Sequence, residues 1–135
     1  MIYHGNRLTL KPDVAPEQVE AALESLRNQG RSIPAVKSFI VGRDYGGEYE
    51  WAATFVLEDL EGYWEYLIHP AHLNTDRIGL PLVDKFVSFD ICDEEDPEVG
   101  AKIAALHQRR YDTMPDISKL VANLGEYVGS APPRS

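Results

Sequence analysis

The sequence predicts a single α+β domain in the order strand, helix, strand, strand, helix, strand, and three observations carry that expectation. Four stretches read as strands from alternation or from β-branched and aromatic enrichment. Two stretches among them place apolar residues at helical spacing. A chain of 135 residues with 44% hydrophobic content has the size of one domain with a core of its own.

Residues 1–10 put Ile2, His4, Asn6, Leu8 and Leu10 on one face and Tyr3, Arg7 and Thr9 on the other, so the inward face of this strand carries two polar groups. Two prolines around Asp13 break the pattern, and Glu17 to Asn28 spaces Val19, Leu23 and Leu26 as a helix that Gly30 would end. Val36 to Val41 is β-rich up to Gly42, and Gly46 and Gly47 connect it to a third strand from Trp51 to Leu57. Glu58 to Ile68 reads as a helix burying Leu60, Trp64, Leu67 and Ile68, and Pro70 ends it because the residue before a proline avoids the α region. A short helix from Ala71 to about Gly79 precedes a strand from Leu82 to Cys92, which is apolar on both faces and therefore covered twice.

This order is the ferredoxin-like split βαβ arrangement, a four-stranded antiparallel sheet with its helices on one face and the other face open. An open apolar sheet face is an interaction surface, and a second copy pressed against it would close a dimeric α/β barrel, so a homodimer is expected. After the acidic turn Asp93 to Asp96, Pro97 suits the first position of a helix with the stripe Val99, Ile103 and Leu106. Asp116 would cap one more, lined by Ile117, Leu120, Val121 and Leu124. The expected division is a barrel domain over 1–96, a C-terminal helical extension over 97–128 and a disordered tail over 129–135. The extension would pack on the barrel or on the partner subunit, gating the pocket or lengthening the interface.

With 22 acidic against 13 basic residues, the formal charge of -9 repels nucleic-acid phosphates and anionic lipid headgroups, so neither is an expected partner. The lone Cys92 reads as a buried structural thiol. No apolar run approaches the roughly 20 residues of a membrane span, and nothing near the start reads as a signal peptide, which points to a cytoplasmic protein. There is no Gly-rich phosphate loop, Gly-x-Ser-x-Gly elbow or Cys/His dyad motif, which narrows any reaction to acid/base work without a cofactor. His69 and His72, three apart, invite a metal, yet no carboxylate or cysteine partner accompanies them and no metal site is expected.

The run Tyr66-Leu67-Ile68-His69-Pro70-Ala71-His72 resembles the signature of the stress-responsive dimeric α/β-barrel family. His4, Lys11-Pro12-Asp13-Val14, Ile33-Pro34-Ala35-Val36-Lys37, Gly42-Arg43-Asp44 and Phe86-Val87-Ser88-Phe89-Asp90 follow in family order, so the similarity covers about residues 1–92. The family holds stress proteins, cyclases that close polyketide rings by aldol condensation and cyanohydrin lyases. The resemblance implies that His4, His72 and Tyr66 stand where the cyclase-type members keep active histidines and a tyrosine. Leu26 stands where the cyclase has a further pocket tyrosine, and Trp51 where it has a histidine.

Near the start of a helix His72 would be held neutral, fit to remove an acidic proton as a base, or it would simply cap the helix. Tyr66 would donate to a developing oxyanion or pack ordinarily, and His4 would support the base or sit as a core histidine. Asn6, Trp51, Leu26 and His69 complete the expected substrate-binding set, although His69 also fits a capping role and Trp51 and Trp64 fit core or pocket wall. His107, Arg109 and Arg110 read as a solvated helix face. The expected function is a cofactor-independent aldol-type cyclase or lyase acting on a small, partly apolar carbonyl compound such as a polyketide intermediate. The alternative is a non-catalytic, stress-responsive small-molecule-binding protein.

Overall fold

The protein is described by a computed structural model over residues 1–129. The tail expected over 129–135 lies, from residue 130 on, outside the described residues. The elements run β1 (Ile2–Leu10), α1 (Pro16–Ser32), β2 (Val36–Arg43), β3 (Trp51–Leu57), α2 (Leu60–Ile68), α3 (Pro70–Gly79), β4 (Val83–Cys92), α4 (Val99–Thr113), α5 (Pro115–Ala122) and β5 (Glu126–Val128), with one 3-10 turn at Leu80–Leu82. The split βαβ order is present, and β1 pairs antiparallel with both β3 and β4. The sheet has five strands rather than four, in the order β2-β3-β1-β4-β5, because the end of the extension adds β5 parallel to β4.

Local chemistry explains most of the helix limits. Asp59 starts α2 by accepting the Gly62 N–H at 2.8 Å. Asp59→Ala should therefore lower stability by about 1 kcal/mol in chemical denaturation. Pro16 and Pro70 occupy first helical positions, where the missing N–H costs nothing. Gly30 does not end α1, which runs to Ser32. Its role is close approach: a Cβ there would lie 2.2 Å from the ring of Phe39 on β2, so only glycine lets that strand seat against the helix. Helix α4 starts two residues after Pro97, and Asp116 lies in the first turn of α5, where it pairs with Arg77 at 3.1 Å.

The core lies between the sheet and α1, α2 and α3. On α2 the fully buried residues are Tyr63, Tyr66 and Leu67, while Trp64 of the expected stripe is half-buried beneath the Arg109 guanidinium, 4.2 Å above its ring. The extension folds back on its own domain: α4 packs on α2, α5 packs on α3, and Ile103 joins the core cluster of Ile2, Phe55 and Leu67. The other sheet face carries Ile40, Ile91 and Val128 at 70%, 60% and 61% exposure, with Tyr3 beside Ile91. No described helix is long and apolar enough to cross a membrane.

Candidate active site

Strand register builds the floor of the cavity. Three rungs of β1 and β4 face the helices: His4 opposite Asp90, Asn6 opposite Ser88, and Leu8 opposite Phe86. The floor thus grades from polar to apolar along the strands, and β5 extends it by stacking Tyr127 on Phe86 with ring centroids 5.5 Å apart. Above it lies a cavity with about 90 Å³ open to the centres of water molecules. One water needs roughly 10–15 Å³ on that measure, so the space suits a small organic molecule. Leu23, Leu26, Trp51 and Phe86 wall its apolar side, and His4, Tyr66, His72, His107 and Arg110 its polar end.

The polar end is organised around one oxygen. Tyr63 Oη lies 2.9 Å from His4 Nδ1, 2.9 Å from Asp90 Oδ1 and 2.8 Å from His107 Nε2. As a carboxylate Asp90 only accepts, so the Tyr63 hydroxyl donates to it, and the phenol oxygen is left to accept from His107 Nε2–H. His4 Nδ1–H donates to Asp90 at 2.9 Å, which leaves His4 Nε2 as a lone pair. The ligand atoms of His4, Asp90 and His107 lie within 4.8 Å of one another, a spacing that a metal ion can use. The phenol oxygen stands where such an ion would sit, at hydrogen-bonding distance from all three.

The second imidazole is prepared differently. His72, in the first turn of α3, donates Nδ1–H to the Tyr66 carbonyl at 3.1 Å and stacks on the Tyr66 ring at 4.4 Å. Burial, and then the nearby Arg110 guanidinium, hold it well below the usual histidine range, so it is a neutral imidazole. Its Nε2 lies 3.7 Å from Asp76 Oδ2, but that carboxylate is taken by Arg110 in a buried ion pair. Burial pushes the Asp76 carboxyl up, the opposed pull of Arg110 notwithstanding. Burial likewise lowers His107 to about 3 and raises the Tyr66 phenol far above its ordinary value.

The structure thus brings His4, Tyr66, His72, Asn6, Trp51 and Leu26 to one cavity. His69 is not among the lining residues: its Nδ1 caps α3 by accepting the Ala71 N–H at 3.0 Å. His107 and Arg110 are not a solvated face but are 5% and 3% exposed. The signal was present, because the stripe Val99, Ile103, Leu106 continues by one turn onto Arg110, and His107 lies four residues after Ile103. The sequence does not single out Tyr63 or Asp90 as site residues either. Nothing local marks either, since their meeting depends on how α2 crosses the β1–β4 pair.

Comparison with known proteins extends over the same core. The sequence matches the stress responsive A/B barrel domain over residues 2–93. The stress-response A/B barrel domain-containing protein HS1 of Arabidopsis thaliana is 29% identical over 94 residues, 66% of this chain and 86% of that protein. A dimeric ferredoxin-like protein of unknown function from Thermobifida fusca superposes with a TM-score of 0.61 at 28% identity, over 67% of this chain and 89% of that one. The hydroxynitrile lyase of Passiflora edulis gives a TM-score of 0.63 at 16% identity, over 70% of this chain and 94% of that one, a likeness of fold. Helices α4 and α5 and strand β5 lie beyond the matched segment.

Proposed function

This chain belongs to the stress responsive A/B barrel domain family, and from that premise we propose that it is a cofactor-independent acid/base enzyme, an aldol-type cyclase or lyase for a small, partly apolar carbonyl compound such as a polyketide intermediate. The observation that carries the proposal is the Asp90–His4 pair at 2.9 Å on the floor of a half-apolar cavity. A carboxylate behind one imidazole nitrogen orients the ring and stabilises the imidazolium formed when the other nitrogen takes a proton. His72 has only a backbone carbonyl behind it, and burial and Arg110 oppose its charging. The base expected at His72 therefore passes to His4, with His72 holding the Tyr66 ring. The Tyr66 hydroxyl has no hydrogen-bond partner among the described residues and serves as the donor to a developing oxyanion.

The test is hydrogen–deuterium exchange at the methyl group of acetophenone in deuterated buffer, followed by NMR. Exchange faster than buffer alone supports proton abstraction next to a carbonyl. Binding of the ketone without exchange favours the second reading, a stress-responsive small-molecule-binding protein, which the name of the Arabidopsis relative suggests.

The proposal includes a homodimer, supported by the dimeric Thermobifida relative and by the apolar outer sheet face. Replacing Ile40 and Ile91 together with aspartate should yield monomers in analytical ultracentrifugation, since it puts charge where that face would be buried. A double variant that sediments as the parent would move the interface elsewhere.

A further inference from the structure

Among the cavity-lining side chains, four buried polar atoms have no hydrogen-bond partner among the described residues: Gln29 Oε1 on α1 and, on the side chains of the polar end, Tyr66 Oη, His107 Nδ1 and Arg110 Nε. A buried polar group left unpaired costs roughly 1–3 kcal/mol, so three at one end of a cavity call for a reason. Two of them belong to α4, outside the segment that matches the family. Being three residues apart on that helix, His107 and Arg110 share one face.

Their hydrogen-bonding sense follows from what their other atoms do. His107 Nε2–H is committed to Tyr63 Oη, so Nδ1 carries a lone pair and can only accept. Arg110 Nη2 is committed to Asp76, and Nε–H can only donate. Because Asp76 already meets the guanidinium charge, a neutral oxygen suffices as partner for Nε–H.

We propose that α4 forms the recognition half of the cavity for a hydroxylated ketone or aldehyde, with His107 Nδ1 accepting the ligand's hydroxyl and Arg110 Nε donating to its carbonyl oxygen. The proposal rests on the cavity taking a small carbonyl compound and adds that the compound carries a hydroxyl read by the extension. The family core thereby supplies the proton chemistry of His4 and Asp90, and the extension supplies selectivity.

Acetophenone and 3-hydroxyacetophenone, titrated into the full chain and followed by NMR, test it. The hydroxylated ketone should bind roughly three- to tenfold tighter, the effect of one buried hydrogen bond. His107→Leu should remove that preference, so that the two ketones bind that variant alike. His107→Gln, whose amide can donate to Tyr63 and accept from the ligand, should keep it. In the parent protein, the Nδ1 resonance of His107 should move upfield with 3-hydroxyacetophenone and stay put with acetophenone, a readout that needs no variant. Equal binding of both ketones by the parent, or a preference that survives His107→Leu, overturns the role of α4 and leaves the acid/base reading of His4 standing. If neither ketone binds, the carbonyl cavity itself is refuted and the proposal with it.

Discussion

Replacing Arg110 with methionine should lower the free energy of unfolding by roughly 3–5 kcal/mol near neutral pH, the cost of stranding a buried carboxylate without its partner. Against a domain stability of about 5–15 kcal/mol this is a large fraction, and it should appear as a fall of roughly 10–20 °C in Tm. Arg110 is 3% exposed and Asp76 9%, so water cannot take over from the lost guanidinium. The double change Arg110→Met with Asp76→Leu should recover most of the loss, because a well-packed apolar pair replaces a buried ion pair at little cost. A single variant as stable as the parent would mean that the pair contributes nothing.

The pH dependence has a definite sign. Burial already raises Asp76 in the folded protein, and without Arg110 it rises further. An acid with a raised folded pKa gains stability from protonation as pH falls, so the deficit of Arg110→Met is largest above that pKa and shrinks toward the ordinary carboxylate value of about 3.9. Arg110 also helps to hold His72 and His107 low, so its removal eases the uptake of their protons. Both effects narrow the gap in acid. In the parent, burial leaves His107 unprotonated down to about 3 while the unfolded chain takes up that proton near 6.5. That difference withdraws stability as pH drops through the window between them.

The second large effect falls on catalysis. His4→Ala should slow acetophenone methyl exchange by about 100- to 10,000-fold relative to the parent, the range for loss of a positioned general base. Asp90→Asn should produce a large part of the same loss with the imidazole still present, because the amide cannot stabilise the imidazolium. Unchanged amide spectra would show that both variants remain folded. Parent-like exchange in His4→Ala would remove the dyad from the chemistry, and a greater loss in His72→Ala would return the base to that residue.

Much of this site was readable from β1 alone. Alternation places His4 and Asn6 on the same face as Ile2 and Leu8, and the folded sheet keeps them there, because a one-residue slip would expose the whole apolar set. Pro70 likewise marks the start of α3 and puts His72 in its first turn. The role of Asp90 is not legible in this way. A strand's period tells which residues share a face, not which residue of a strand far along the chain stands opposite, and the His4–Asp90 rung spans 86 positions.

The extension shows the same boundary from the other side. Imidazole and guanidinium groups on a helix usually face water, so composition alone sent His107 and Arg110 to the surface. They are buried because α4 lies across α2, where Tyr63 meets His107, and within reach of α3, whose Asp76 pairs with Arg110. The order of elements, the face on which His4 and Asn6 lie and the place of His72 at the start of α3 were legible in the residues themselves, since they follow from local periodicity and from prolines acting within a few residues, while Tyr66 stood out only through the family resemblance. It took the folded chain to show which carboxylate backs which imidazole, that the extension supplies two of the five side chains at the polar end, and that a fifth strand lengthens the floor. Those depend on packing between segments far apart in the chain, where burial and pairing, rather than residue type, set what a side chain does.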